Sequence, residues 1–125
     1  MKRSTLIRLL ATTCLGLAGV LAHADDAANF PTKTLTLIVP YAPGGSSDTR
    51  ARMLAAKMSK TLGQTVIVEN KAGGGGNIGT NMIAKAPPDG YTFGIGNFAP
   101  LAVNKAMMPA VPFDAEKDLA PIILI

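Results

Sequence analysis

Two short segments combine glycine with small polar residues, PGGSSD at residues 43–48 and AGGGGN at residues 72–77. Glycine lets a ligand approach the backbone closely and adopts backbone angles that other residues avoid. If a helix follows each segment, its free N–H groups and the positive end of its dipole favour an anion such as a carboxylate or a phosphate. The alternative is that these glycines only shape tight turns.

Strand and helix patterns alternate around these segments. Runs rich in aliphatic and β-branched residues predict strands at residues 34–39, 65–68 and 91–96, with a fourth beginning at Ile122. After the first segment, helical spacing predicts an apolar face formed by Ala51, Leu54, Ala55, Met58 and Leu62. Ser46 or Ser47 would cap this helix and Gly63 would end it.

The second glycine segment also precedes a predicted helix, over residues 78–86, with Ile78, Met82 and Ile83 on its apolar side. Strands alternating with helices form right-handed βαβ units around a parallel sheet, so the predicted fold class is α/β. Loops that follow parallel strands gather at the carboxyl edge of the sheet. We therefore expect the two glycine segments to border one crevice.

The glycine segments and the residues beside them allow more than one interpretation. Residues 74–79 fit G-x-G-x-x-G, but the motif follows the second strand, and Asn97 stands where a ribose-binding acid would end the third. No Gly-Lys-Ser/Thr follows either segment, which excludes a P-loop.

The sequence allows two roles for Asp48. It either pairs with Arg52 at i,i+4 spacing or faces the crevice and meets a polar group of the ligand.

Residues 1–24 have the pattern of a cleavable secretory signal peptide. Lys2 and Arg3 give a positive start, residues 9–21 are uncharged and mostly apolar, and Ala22-His23-Ala24 gives the small-x-small cleavage pattern. Cleavage would leave residues 25–125 outside the cytoplasm. Cys14 and His23 are the single cysteine and histidine, so the mature chain would lack thiol, disulfide and imidazole chemistry.

Charge excludes a further class of function. Lys2, Arg3 and Arg8 leave with the signal, so nine basic residues face eight acidic ones in residues 25–125. Basic residues do not alternate with aromatic ones along a stripe, so we expect no nucleic-acid partner. We also expect no metal and no cofactor.

Three motifs in order resemble one family: VPYAPGGSSD with Ala51-Arg52 at residues 39–52, VENKAGGGGNIG at residues 68–79, and APPDGYT at residues 86–92. Together they are similar to the Bug family, the periplasmic solute-binding receptors of tripartite tricarboxylate transporters (TctC-like). The resemblance implies a periplasmic binding protein fold and a receptor that captures a small carboxylate without chemistry. It also implies a membrane permease as partner and a monomer at full length.

The resemblance implies a ligand site and a domain plan as well. Backbone groups and ordered water at the two matching loops would hold one carboxylate, which assigns ligand contacts to Tyr41, Gly44, Gly45, Ser46, Ser47, Asp48, Ala72, Gly73, Gly74, Gly75 and Gly76. Family members are much longer, so residues 25–125 are expected to be the N-terminal part of the first domain, without the second. The alternatives are a secreted α/β enzyme domain that binds a nucleotide cofactor at the glycine loops, and a non-functional receptor fragment.

Overall fold

The structure, a computed structural model, describes residues 29–125. The predicted signal peptide, and with it Cys14 and His23, lies outside the described residues. Residues Lys33–Ile125 form one unit around a three-stranded parallel sheet in the order β2-β1-β3. Its strands are β1 (Leu35–Val39), β2 (Val66–Asn70) and β3 (Thr92–Gly94). The predicted α/β class with parallel βαβ units is confirmed.

Helices connect and follow these strands. Helix α1 (Ser46–Leu62) links β1 to β2, and α2 (Asn77–Lys85) links β2 to β3 after a short 3-10 turn at Gly74–Gly76. A wide π-type turn (Ala99–Val103) leads into α3 (Asn104–Met107). No helix within residues 29–125 has the length and apolar content that a membrane span requires.

The core lies where α1 packs on the central strand. Strand β1 reads LTLIV and is covered on both faces, so four of its five residues are buried. The predicted apolar face of α1 is confirmed: Ala51 and Ala55 are buried, and Leu54, Met58 and Leu62 pack partly buried against the same cluster. This packing fixes the position of the first turn of α1 above the carboxyl end of β1.

The two ends of α1 differ in how well the sequence predicts them. Gly63 ends the helix as expected, at φ +68°, and its N–H donates to the carbonyl of Ser59. The predicted serine cap is wrong, because Gly45 occupies the N-cap position and no side chain caps there. Instead Asp48, in the first turn, accepts a hydrogen bond from the N–H of Gly44 at 2.9 Å.

Helix α2 buries a face that matches the predicted one only at Ile83, which is half-buried and packs against Gly94 of β3. Ile78 and Met82 are 54% and 41% exposed, whereas Gly79 and Thr80 are buried. The cause is a close approach to backbone: a Cβ on Gly79 would lie 2.7 Å from both the Lys71 carbonyl oxygen and the Cα of Pro40. Only glycine permits this spacing, so the small side of the helix faces inward.

The predicted fourth strand does not form. Residues 121–125 have no regular structure, and the four apolar residues from Ile122 onward are between 56% and 96% exposed. A strand needs a hydrogen-bonded neighbour, and no described strand pairs with this segment. The third strand is also shorter than predicted, with three residues in the ladder.

Candidate functional site

The two glycine loops lie side by side at the carboxyl edge of the sheet. The first glycine loop is residues 40–45, after β1, and the second is residues 71–76, after β2. Strands β1 and β2 pair up to Val39 and Asn70, and the N–H of Lys71 donates to the Val39 carbonyl at 2.8 Å. The two loops therefore leave adjacent strands at the same level, as the sequence predicted.

Tyr41 forms a direct contact between the loops. Its ring packs over Gly76, where an added Cβ would lie 3.0 Å from the tyrosine hydroxyl oxygen and 3.3 Å from Cγ of Pro100. Gly76 is buried and adopts φ +94°, a left-handed conformation that favours glycine. Burial raises the pKa of Tyr41, further from neutral pH than its ordinary value, and the protonated hydroxyl can donate a hydrogen bond.

A cleft of about 310 Å³ opens above the first glycine loop and the first turn of α1. It is lined by Tyr41, Gly45, Ser46, Ser47 and Asn97. The first N–H groups of a helix have no partner within the helix. The cleft therefore combines helix N–H donors with hydroxyl and amide side chains.

Four of the predicted site residues line this cleft: Tyr41, Gly45, Ser46 and Ser47. Gly44 and Asp48 lie next to the lining residues, Gly76 is buried beneath Tyr41, and Ala72, Gly73, Gly74 and Gly75 are exposed on the second loop. As ligand contacts, all eleven residues stay predictions. The additional lining residue is Asn97, which follows β3, a neighbour of β1 in the sheet. Its signal in the sequence is its position directly after the third predicted strand.

Asp48 is the buried centre of a polar network whose arginine, Arg52, is 53% exposed. The Asp48 side chain is 5% exposed. Oδ2 accepts from the Gly44 N–H at 2.9 Å and from Arg52 Nε at 3.0 Å. Oδ1 accepts from Asn70 Nδ2 at 3.0 Å and makes an ion-pair contact of 3.0 Å with Arg52 Nη2. Of the two alternatives for Asp48, the structure has the pair with Arg52, although the carboxylate is buried rather than solvated.

These contacts fix the charge of the network. Hydrogen bonds from Arg52, Gly44 and Asn70 lower the pKa of Asp48 to about 2, and the same pairing raises the pKa of Arg52. Both groups are therefore ionised at neutral pH. Because they compensate each other, the buried carboxylate adds little net negative charge beside the cleft.

The second glycine loop has its own anchor. Asn104, buried on α3, donates from Nδ2 to the carbonyl of Gly75 at 3.1 Å and to Oδ1 of Asn77 at 2.7 Å. Asn77 in turn donates to Sδ of Met108 at 3.1 Å. No local pattern in the sequence indicates this role for Asn104, because the contact joins residues 29 positions apart.

Comparison with known proteins identifies the family of this chain. The family model of TctC, the tripartite tricarboxylate transporter family receptor, matches residues 50–125. The chain belongs to this receptor family. The resemblance to the Bug family is confirmed by Protein BugT of Bordetella pertussis, 42% identical over 120 residues, a match that covers 94% of this chain and 37% of BugT.

Solved structures of similar proteins share the fold. MatC from Rhodopseudomonas palustris with bound malate is 40% identical with a TM-score of 0.67, over 71% of this chain and 30% of that one. A second R. palustris protein, solved with adipate, is 39% identical with a TM-score of 0.67, over 70% and 29% of the two chains. The chain spans about a third of the length of the curated relatives it matches.

Proposed function

We propose that this chain forms one wall of the ligand site of a periplasmic receptor, which captures a small organic carboxylate for a tripartite tricarboxylate transporter. The observation that carries the proposal is the cleft into which the first turn of α1 opens, lined by Tyr41, Gly45, Ser46, Ser47 and Asn97. Membership of the receptor family supports it. So do the similar proteins solved with malate and with adipate.

The chemistry of the cleft suits a carboxylate. The residues that line it carry no charged side chain, so donors must come from helix N–H groups, hydroxyls and an amide. Helix N-termini stabilise anions through these N–H groups and the helix dipole. Hydrogen bonds to an ionised acceptor are about twice as strong as those between neutral groups, which favours a carboxylate over its neutral amide.

The same residues favour binding over reaction. A serine hydroxyl becomes a nucleophile only when an adjacent base activates it. The residues beside Ser46 and Ser47 in the cleft are tyrosine, glycine and asparagine, and the Asp48 carboxylate accepts hydrogen bonds from Arg52, Gly44 and Asn70. We therefore propose a receptor and not an enzyme.

Export and assembly follow from the same proposal. The signal pattern at residues 1–24 supports a periplasmic location. In the proposed system a membrane permease receives the ligand. The full-length receptor is proposed to be a monomer. N-terminal sequencing of the exported protein should begin at Asp25. A mature protein that keeps Met1 would contradict the location.

Calorimetric titration of the full-length protein tests the binding proposal. The panel contains malate, succinate and adipate, each paired with its neutral diamide as a matched control. We expect at least one acid to bind with a Kd at or below about 100 μM and its diamide to bind at least about tenfold more weakly, since each factor of ten corresponds to about 1.4 kcal/mol. Equal affinity for an acid and its diamide, or no binding by any acid, would contradict the proposal.

A further inference from the structure

We infer that Asp48 and Arg52 are positioning residues, which hold the two glycine loops at a fixed spacing and make no contact with the ligand. The inference rests on the proposed function in one respect, since it takes the cleft to be the ligand site. Its own basis is the hydrogen-bond geometry of three side chains, Asp48, Arg52 and Asn70.

Donors of the protein occupy most of the acceptor capacity of Asp48. An ionised carboxylate offers about four lone-pair directions. Hydrogen bonds from the Gly44 N–H, Arg52 Nε and Asn70 Nδ2 occupy three of them at 2.9 to 3.0 Å, and Arg52 Nη2 makes an ion-pair contact with Oδ1 at 3.0 Å. A hydroxyl or ammonium group on a ligand would have to reach past these groups to a side chain that is 5% exposed.

The first glycine loop is held at two points by this network. Asp48 binds the N–H of Gly44, and Asn70 Nδ2 donates to the carbonyl of Tyr41 at 3.1 Å. These two backbone groups flank residues 42 and 43, and the carbonyl belongs to Tyr41 itself, whose ring contacts Gly76. The position of the tyrosine ring in the cleft therefore depends on the network.

The second glycine loop is linked to the same network through Asn70. Asn70 is the last residue of β2, and the second loop begins at the next residue. Its side-chain Nδ2 donates to Asp48 Oδ1 at 3.0 Å, and its side-chain Oδ1 accepts from Arg52 Nη2 at 3.1 Å. One ionised cluster thus holds the ends of both loops, and a change at Asp48 should disturb both.

The variants Asp48→Asn and Asn70→Ala test the role in the full-length protein, with malate and succinate as probes. Asparagine at position 48 would place an NH₂ donor where the native carboxylate accepts hydrogen bonds, so part of the network would lose its acceptor. Malate and succinate differ by one hydroxyl, so a positioning role predicts that both lose affinity by the same factor, about tenfold or more. A loss at least about threefold larger for malate than for succinate in Asp48→Asn would mean that Asp48 contacts the ligand and would overturn the inference.

Arg50→Gln is the matched control for Arg52→Gln. It removes the same charge two residues away, at an exposed position of α1. We expect Arg52→Gln to weaken both probes as Asp48→Asn does, and Arg50→Gln to leave both Kd values unchanged. Equal losses in the two arginine variants would show a general effect of charge and would also overturn the inference.

Amide hydrogen exchange measured without ligand separates this inference from the proposed function. In Asp48→Asn we expect faster exchange at Gly44 and also across residues 71–76, while the exchange of α1 beyond Ala55 stays unchanged. Faster exchange confined to the first loop would contradict the coupling of the two loops. If the parent protein binds no organic acid, the proposed function fails, and the exchange result still decides whether one cluster positions both loops.

Discussion

The two glycine loops occupy equivalent places after neighbouring strands, yet different chemistry holds them. The first is fixed by an ionised pair, Asp48 and Arg52, that binds its backbone directly and through Asn70. The second is fixed on its far side by a neutral amide, Asn104, that binds the Gly75 carbonyl. A buried charge needs compensation beside an anion site, and Arg52 provides it for the first loop, whereas the amide anchor needs none.

The backbones differ as well. All four glycines of the second loop have positive φ, between +57° and +132°. In the first loop Gly44 has φ +84°, while Gly45 has φ −76°, an angle open to any residue. The second loop is therefore a chain of conformations that require glycine, and the first is a single turn that leads into a helix.

Gly76→Ala should have the largest effect on stability. The new Cβ would lie 3.0 Å from the Tyr41 hydroxyl at a residue with φ +94°, and a left-handed non-glycine residue alone costs about 1–3 kcal/mol. We expect a loss of about 2–3 kcal/mol in the free energy of unfolding, measured by urea denaturation of the full-length protein. Gly45→Ala is the control: its Cβ would lie 3.7 Å from the nearest atom, and its loss should stay below about 1 kcal/mol. Equal losses would remove the distinction between the loops.

Asn104→Ala should have a smaller effect, because it removes two hydrogen bonds without straining the backbone. The carbonyl of Gly75 and Oδ1 of Asn77 lose their donor, and leaving a buried group unsatisfied costs about 1–3 kcal/mol. We expect a loss of about 1–2 kcal/mol by the same measurement. The matched asparagine is Asn97, which is exposed and makes one bond of 3.4 Å. Asn97→Ala should change stability by less than about 0.5 kcal/mol, and a larger cost than that of Asn104→Ala would show that the second loop is not anchored from α3.

The smallest effect distinguishes the two anchors by their response to acid. The pKa of Asp48 is lowered from 3.8 to about 2, so the native state favours the ionised form, and its stabilisation is full above about pH 4 and lost as pH falls toward 2. The difference in thermal midpoint between the parent and Asp48→Asn should therefore shrink between pH 4 and pH 2. The difference between the parent and Asn104→Ala should stay constant over that range, because Asn104 binds no proton. If both differences in thermal midpoint shrank in parallel, the conclusion that only the first loop is held by an ionised group would be wrong.

The sequence predicted the parts of the fold that depend on local pattern. The alternation of β-branched runs and helical spacing located β1 and α1, and Gly63 marked the end of α1. Because parallel strands place their following loops at one edge, the neighbourhood of the two glycine loops also followed from the sequence. Four of the five residues that line the cleft were among the predicted ligand contacts.

The errors arise where a tertiary contact overrides the local pattern. Helical spacing placed Ile78 and Met82 inward, but the approach of α2 to Pro40 and Lys71 leaves room only for Gly79. A serine was expected to cap α1, but Asp48 binds the preceding backbone N–H from inside the first turn. Both outcomes depend on how elements pack, which periodicity and cap preferences do not encode.

The proposed site for a carboxylate is the point where the first turn of α1 opens into the cleft. A ¹⁵N amide spectrum of the full-length protein, recorded while the tightest-binding acid of the panel is added, tests this placement. We predict that the amides of Gly45, Ser46 and Ser47 shift together with those of Gly74, Gly75 and Gly76, in proportion to bound ligand. Shifts confined to residues away from both loops, such as the groove beside Ser59 and Val66, would contradict the account.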